Sequence, residues 1–314
     1  MKVVFMGTPD FAKESLEALY NANHEILAVV TNPDKPKGRG MKMVASPVKE
    51  FAIEKGLKIY QPLKVRNNEE FINEINNLEP EVICVVAYGK ILPKEILDIP
   101  KYGCINVHGS LLPKYRGAAP IQWAVLNGDK ATGITTMYMD VGMDTGDMIL
   151  KEKVGIGEDE TTGELWERLS KIGGKLLVET LERIENGTVT RQKQGEDFTM
   201  APMLDKSIAK IDWKNQTAMQ IKNLVRGLNP IMGAYTFLSG KKIKFWKVQL
   251  LENSSKNNLE PGTILLSDTK KGLHIQANGG IINVLEIQGE NARKMSIQEF
   301  LRGHQEVKEG QVLE

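Results

Sequence analysis

Apolar positions follow one rhythm over roughly the first two-thirds of the chain and another after it. In the first part, short unbroken apolar runs alternate with stretches of helical spacing. Residues 3–6 (Val-Val-Phe-Met) read as a buried strand, and residues 9–21 place Phe11, Leu16, Leu19 and Tyr20 at helical intervals. Residues 26–31, 82–87, 104–107, 133–139 and 148–154 read as further strands, and residues 46–55, 69–78, 118–126 and 161–184 as helices. Residues 32–48 interrupt the alternation with prolines, basic residues and Gly38-Arg39-Gly40, and read as a loop. Strands that are apolar throughout are buried on both faces. Their alternation with helices predicts an α/β domain with a Rossmann-like, mostly parallel sheet and helices on both faces.

From about residue 186 the pattern weakens, and residues 186–206 are polar enough to read as a surface linker. A helix is expected over 216–227. Short strands follow at 234–238, 241–248, 262–266, 273–277 and 281–288, with Ser239-Gly240 and Asn278-Gly279-Gly280 as hairpin turns. Five short strands with tight turns predict a small antiparallel, OB-like β-barrel, closed by a helix over 296–303. The expected organisation is a domain over 1–189, a linker over 190–208 and a barrel domain over 209–314.

Composition narrows the class. With 314 residues, 41% hydrophobic and 26% charged, the chain can bury two cores and is not disordered. No apolar run reaches the roughly 20 residues of a membrane span, and the first residues form a strand rather than a targeting signal, so a cytoplasmic protein without a membrane partner is expected. Cys84 and Cys104 sit inside apolar runs, which predicts buried free thiols. The four histidines show no metal-ligand spacing, so no metal is expected. Residues 210–314 carry 15 Lys and Arg against 10 Asp and Glu, while the remainder carries 26 against 30. A basic second part is compatible with a polyanionic partner.

The candidate chemistry lies in two strings, Asn106-Val107-His108-Gly109-Ser110-Leu111-Leu112-Pro113-Lys114-Tyr115-Arg116-Gly117 and Asp140-Val141-Gly142-Met143-Asp144-Thr145-Gly146-Asp147. Strand side chains alternate, so Asn106 and His108 point the same way from a strand end. The second string offers carboxylates on a glycine-rich turn. An amide, an imidazole and a carboxylate suffice for oxyanion stabilisation and proton transfer at a carbonyl carbon. By contrast, Gly7-Thr8-Pro9-Asp10 after the first strand lacks the glycines of a dinucleotide fingerprint, which excludes that class.

These strings resemble the folate-dependent formyltransferases. The resemblance implies Asn106, His108 and Asp144 as catalytic residues and 10-formyltetrahydrofolate as cosubstrate. It also implies that Ser110, Leu111, Leu112 and Pro113, with exposed backbone groups, and Val86, Tyr88 and Gly89, as a wall for the pterin, contact the folate. Within the family, the basic loop with Lys35, Lys37, Arg39 and Lys42, the Gly117-Ala118-Ala119-Pro120-Ile121-Gln122-Trp123 string and the basic barrel are similar to the members that act on charged tRNA. That similarity implies methionyl initiator tRNA as partner, with Lys37, Arg39 and Lys42 of the loop as RNA contacts; Lys242 and Lys244 of the basic module are candidate phosphate contacts, and a monomer would suffice. The alternative is a family member acting on a small molecule, including a formyltetrahydrofolate hydrolase.

Overall fold

The chain opens with β1 (Lys2–Gly7), α1 (Asp10–Asn21) and β2 (Glu25–Val30), each where an apolar run or helical period predicts it. The computed structural model describes residues 1–37, 41–251 and 259–314, with backbone alone at Lys37 and Lys42. The stretch expected as a loop contains a small antiparallel hairpin, β3 (Lys35–Lys37) with β4 (Lys42–Val44). Three-residue strands are too short to show a period, and a two-stranded ribbon accommodates Pro36 because each strand keeps an open edge.

Next come α2 (Pro47–Glu54), β5 (Ile59–Tyr60), α3 (Glu69–Asn77), β6 (Val82–Val86), α4 (Lys94–Leu97) and β7 (Cys104–His108). Ser46 and Asn68 start α2 and α3 by accepting hydrogen bonds from Lys49 N and Phe71 N. After α5 (Pro120–Leu126), β8 (Ala131–Tyr138) and β9 (Met148–Gly155) lead into the long α6 (Thr162–Glu185). The sheet order is β5-β2-β1-β6-β7-β8-β9. Pairings from β5 to β7 are parallel, and β8 and β9 add an antiparallel edge. Strand order reverses between β1 and β6, so the ligand crevice of such a sheet lies beyond the carboxyl ends of β1, β6 and β7. One face buries Val4, Met6, Val30, Ile83, Val85 and Cys104 against Phe71 and Ile75 of α3 and Ile96 of α4.

Contacts divide the chain into two compact units. The first is residues 1–120, 131–155 and 166–202, and the second is 121–130, 156–165 and 203–314. In the second, a 3-10 turn (Lys206–Ala209) and α7 (Ala218–Gly227) precede β10 (Ala234–Leu238), β11 (Lys241–Leu251), β12 (Ile264–Asp268), β13 (Gly272–Ala277), β14 (Gly280–Gly289), β15 (Met295–Ser296) and α8 (Ile297–Gly303). Thr217 and Ser296 cap α7 and α8 with reciprocal capping boxes. The strands are antiparallel in the order β10-β11-β14-β13-β12, with β15 on β14. The chain end closes this sheet. Leu313 N donates to Gly262 O (2.9 Å) and Ile264 N to Gln311 O (2.8 Å), while Glu314 N donates to Phe237 O (2.9 Å). Its core joins Ile221 and Val225 of α7 to Phe245, Ile275, Ile282 and Ile287.

Among the described residues, no helix is long and apolar enough to cross a membrane, and no group of three or more His, Cys, Asp or Glu is placed to hold a metal.

Candidate active site

Asn106 and His108 stand at the carboxyl end of β7, on one face, with Val85 of β6 beside Asn106 and Met137 and Thr135 of β8 opposite the pair. The His108 ring is buried, and its Nε2 lies 2.8 Å from the Tyr115 carbonyl oxygen. A carbonyl only accepts, so this bond assigns a hydrogen to Nε2. Nδ1 is left as the nitrogen that can gain or release a proton. Tyr115 holds a left-handed conformation, φ 62°, to aim its carbonyl there. Thr199 braces it, because Tyr115 N donates to Thr199 Oγ1 and Arg116 N to Thr199 O, both at 2.8 Å.

Asp144 arrives from the glycine-rich turn between β8 and β9, also left-handed at φ 54°. Its Oδ1 lies 3.6 Å from His108 Nδ1, and its Oδ2 accepts from Gly117 N at 2.8 Å. Gly117 has φ 123°, and a Cβ on it would come within 2.7 Å of Ala201 O, so only glycine brings that amide to the carboxylate. Asp140 is instead a turn-former, accepting from Gly142 N at 2.8 Å and Thr145 Oγ1 at 2.6 Å. The Asn106 amide is half-buried and has no hydrogen-bond partner among the described residues. The site thus gathers an uncommitted amide, an imidazole with one committed nitrogen and a hooked carboxylate.

The segment after His108 is more closed than the sequence implies. Ser110 and Leu112 are fully buried, and every carbonyl from Ser110 to Lys114 has a partner. Thr135 Oγ1 donates to Ser110 O (2.7 Å) and Lys151 Nζ to Leu112 O (2.7 Å). The expected exposed backbone groups are therefore largely engaged, and half-exposed Leu111 and Pro113 are what the segment presents. Val86 and Tyr88 also turn their side chains into the core, so the open positions of their loop are Ala87 and Gly89. Burial pushes the Tyr88 hydroxyl up to about 12, and the Cys104 thiol likewise to about 12, which removes a thiolate nucleophile from the chemistry.

Sequence patterning did not reveal the roles of Arg116, Gln194 and Thr199 at this site. Arg116 is engaged within the protein: its Nε donates to Gln194 Oε1 at 2.9 Å and its guanidinium lies over Phe198, 4.5 Å from the ring centre. Gln194 and Thr199 fall in irregular backbone, where no periodic signal exists.

Of the basic-loop candidates, Arg39 lies outside the described residues, as do the side chains of Lys37 and Lys42. On β11, Lys242 lies 3.6 Å from the Tyr235 ring centre, while Lys244 donates to Met232 O at 2.7 Å and faces Trp246 at 5.6 Å. Burial, then the neighbouring charges of Lys242 and Lys206, holds Lys244 below the usual lysine range. These cations are clustered closely enough to repel one another.

An amide, an imidazole and a carboxylate gathered beyond the strand ends of an α/β sheet suit oxyanion stabilisation and proton transfer in group transfer at an acyl carbon. Comparison with known proteins gives the family. Residues 1–181 match the formyl transferase family and residues 203–305 its C-terminal domain, so the chain belongs to the formyl transferase family. It is 52% identical over 314 residues to the methionyl-tRNA formyltransferase of Caldanaerobacter subterraneus subsp. tengcongensis, covering all of both chains. Among solved structures, the N-formyltransferase from Helicobacter canadensis, in complex with folinic acid and dTDP-3-aminofucose, has the same fold (TM-score 0.67, 21% identity, 92% of this chain and 100% of that one). HypX from Aquifex aeolicus in complex with tetrahydrofolic acid does too (TM-score 0.64, 15% identity, 98% of this chain), although this chain spans only 48% of it.

Proposed function

We infer that this protein transfers the formyl group of 10-formyltetrahydrofolate to the free amino group of methionyl initiator tRNA. The observation that carries the reading is the Asn106, His108 and Asp144 cluster, with Nδ1 of His108 3.6 Å from Asp144 Oδ1, in a chain alike from end to end to a methionyl-tRNA formyltransferase. The residues present fit a formyl donor. Asn106 offers an uncommitted amide donor, and the cluster stands beyond the carboxyl end of β7, next to the switch between β1 and β6.

In the proposed chemistry, a C–N bond forms between the methionyl amine and the formyl carbon, and the bond from that carbon to the folate nitrogen breaks. Asn106 donates to the formyl oxygen as negative charge gathers there. His108 accepts the amine proton at Nδ1 and returns it to the departing nitrogen, so no proton is gained or lost overall. The Asp144 carboxylate stabilises the imidazolium formed between those transfers, while the Tyr115 carbonyl keeps the ring in one orientation. Leu111, Pro113 and the Ala87–Gly89 backbone supply apolar walls for the folate, with Val86 and Tyr88 supporting them from behind.

The reading assigns formyl transfer to residues 1–189, RNA binding to the barrel over 209–314, and the connection to 190–208. Lys242 and Lys244, with Lys37, Arg39 and Lys42 of the basic loop, are the proposed phosphate contacts, which position an RNA without reading its sequence. One chain builds the whole His108–Asp144 cluster, so the proposed working form is a monomer, and the proposed compartment is the cytoplasm. The test is formyl transfer from 10-formyltetrahydrofolate to methionyl initiator tRNA beside methionyl elongator tRNA. Selective formylation of the initiator is expected. Loss of the folate's formyl group with neither tRNA formylated would transfer the reading to a hydrolase or a small-molecule transferase.

A further inference from the structure

Residues 190–208 read as a linker, yet residues 192–201 touch both halves of the active site. Gln192 pairs its backbone with Met148 in both directions, at 2.8 and 2.9 Å. Two residues on, half-buried Gln194 donates from Nε2 to Asp144 O and to Gly146 O, both at 2.8 Å. Its Oε1 accepts from Arg116 Nε at 2.9 Å, and Arg116 is itself buried under Phe198. Thr199 then fixes Tyr115, whose carbonyl orients His108.

The turn that carries Asp144 has no strand or helix to hold it, and Asp144 sits at a positive φ, in the left-handed region that aspartate tolerates in turns. The carbonyls on either side of Thr145 can converge on a single amide only while the turn keeps this shape. A polar linker residue with no other task would turn its amide to water. Gln194 instead directs both donors and its acceptor into the site.

We propose that Gln194 is a positioning residue for formyl transfer. It clamps the Asp144 turn so that the carboxylate stays hooked on Gly117 N and faces His108 Nδ1, and Arg116 anchors the clamp. The proposal rests on reading this cluster as the formyl-transfer centre, but the clamp also has a signature independent of activity.

The test uses the full chain with Gln194→Leu, which keeps volume and neutrality without hydrogen bonds, and Gln194→Glu, which keeps the Arg116 acceptor and removes both donors. The Gly117 amide, protected by Asp144 Oδ2, is expected to exchange its hydrogen at least about tenfold faster in both variants, with the β7 amides unchanged. Turnover is expected to fall about 10- to 100-fold with KM for folate and tRNA held within about twofold, because a misplaced catalytic group loses rate rather than binding. Added to Asp144→Asn, Gln194→Leu should slow transfer by no more than about another twofold, since the clamp acts through that carboxylate. Unchanged Gly117 exchange, parental turnover in Gln194→Glu, or a full additional loss on top of Asp144→Asn would each overturn the clamp. If the parent protein formylates neither tRNA, the functional reading fails separately, and Gly117 exchange still decides the clamp.

Discussion

Replacing Asp144 by Asn isolates the electrostatic part of the proposed mechanism. The substitution keeps the shape of the side chain, and the Asn carbonyl can still accept from Gly117 N, which lies 2.8 Å from Oδ2 in the parent protein. What disappears is a negative charge 3.6 Å from His108 Nδ1. At an effective dielectric of about 20, a charge at that distance stabilises an imidazolium by roughly 4–5 kcal/mol. Asp144 retains 16% of its side-chain exposure, so solvent screens part of this. Discounting to roughly 3–4 kcal/mol gives a loss of about two to three orders of magnitude in turnover, at about 1.4 kcal/mol per decade. The assay is single-turnover formyl transfer to methionyl initiator tRNA at saturating folate, with unfolding temperature measured alongside. Turnover within about threefold of the parent, in a variant as stable as the parent, would remove the carboxylate's charge from the mechanism.

Three further outcomes follow from the same geometry. Arg226 is buried, and donates to Gly157 O (3.2 Å), Glu160 O (3.1 Å) and Asn223 Oδ1 (2.9 Å), so Arg226→Ala should lower stability by about 2–4 kcal/mol, read as an earlier urea midpoint by tryptophan fluorescence. An unchanged midpoint would mean water replaces the guanidinium without penalty. Lys242→Gln with Lys244→Gln should reduce the slope of log tRNA affinity against log salt by about 2, with the slope unaltered if neither meets phosphate. Burial holds His274 below its usual value of 6.5, so as pH falls through that value the unfolded chain takes up a proton first. The His274 contribution to stability is therefore present above pH 6.5 and lost as pH drops through the lower folded value, and His274→Gln should flatten that part of the pH–stability curve.

Much of the fold was legible because burial writes itself into spacing. Residues 3–6 of β1 and all of β6 are apolar without a break and lie at the centre of the sheet, and the helical period of residues 9–21 became α1 with Phe11, Leu16 and Leu19 inward. The β3–β4 hairpin was not legible, since three residues cannot display an alternation. For the site, the alternation rule puts Asn106 and His108 on one face, but it cannot tell which side of a doubly buried strand end faces a ligand. Val86 and Tyr88 lie next to the crevice with their side chains in the core for that reason. Gln194 was invisible for a different reason. Its role depends on backbone carbonyls of a turn 50 residues earlier, and carbonyls have no letter in a sequence.

The second unit shows what a boundary drawn along the sequence misses. Residues 121–130 and 156–165 fall within the stretch that matches the N-terminal family domain, yet they pack as part of the unit that holds the barrel. The charges of α7 tie the later of these segments in. Lys222 and Arg226 are buried, and their partners come from the 156–165 segment: Asp159 for Lys222 at 2.6 Å, and the carbonyls of Gly157 and Glu160 for Arg226. Thr162 Oγ1 adds a bond to Gly227 O at 2.8 Å, at the carboxyl end of the same helix. A buried cation without its partners is strongly destabilising, so α7 can pack in this form only when the earlier segment is present. The second unit is thus completed by a segment that precedes α7 in the chain, with Thr162 and Glu160 lying 65 and 66 residues before their partners.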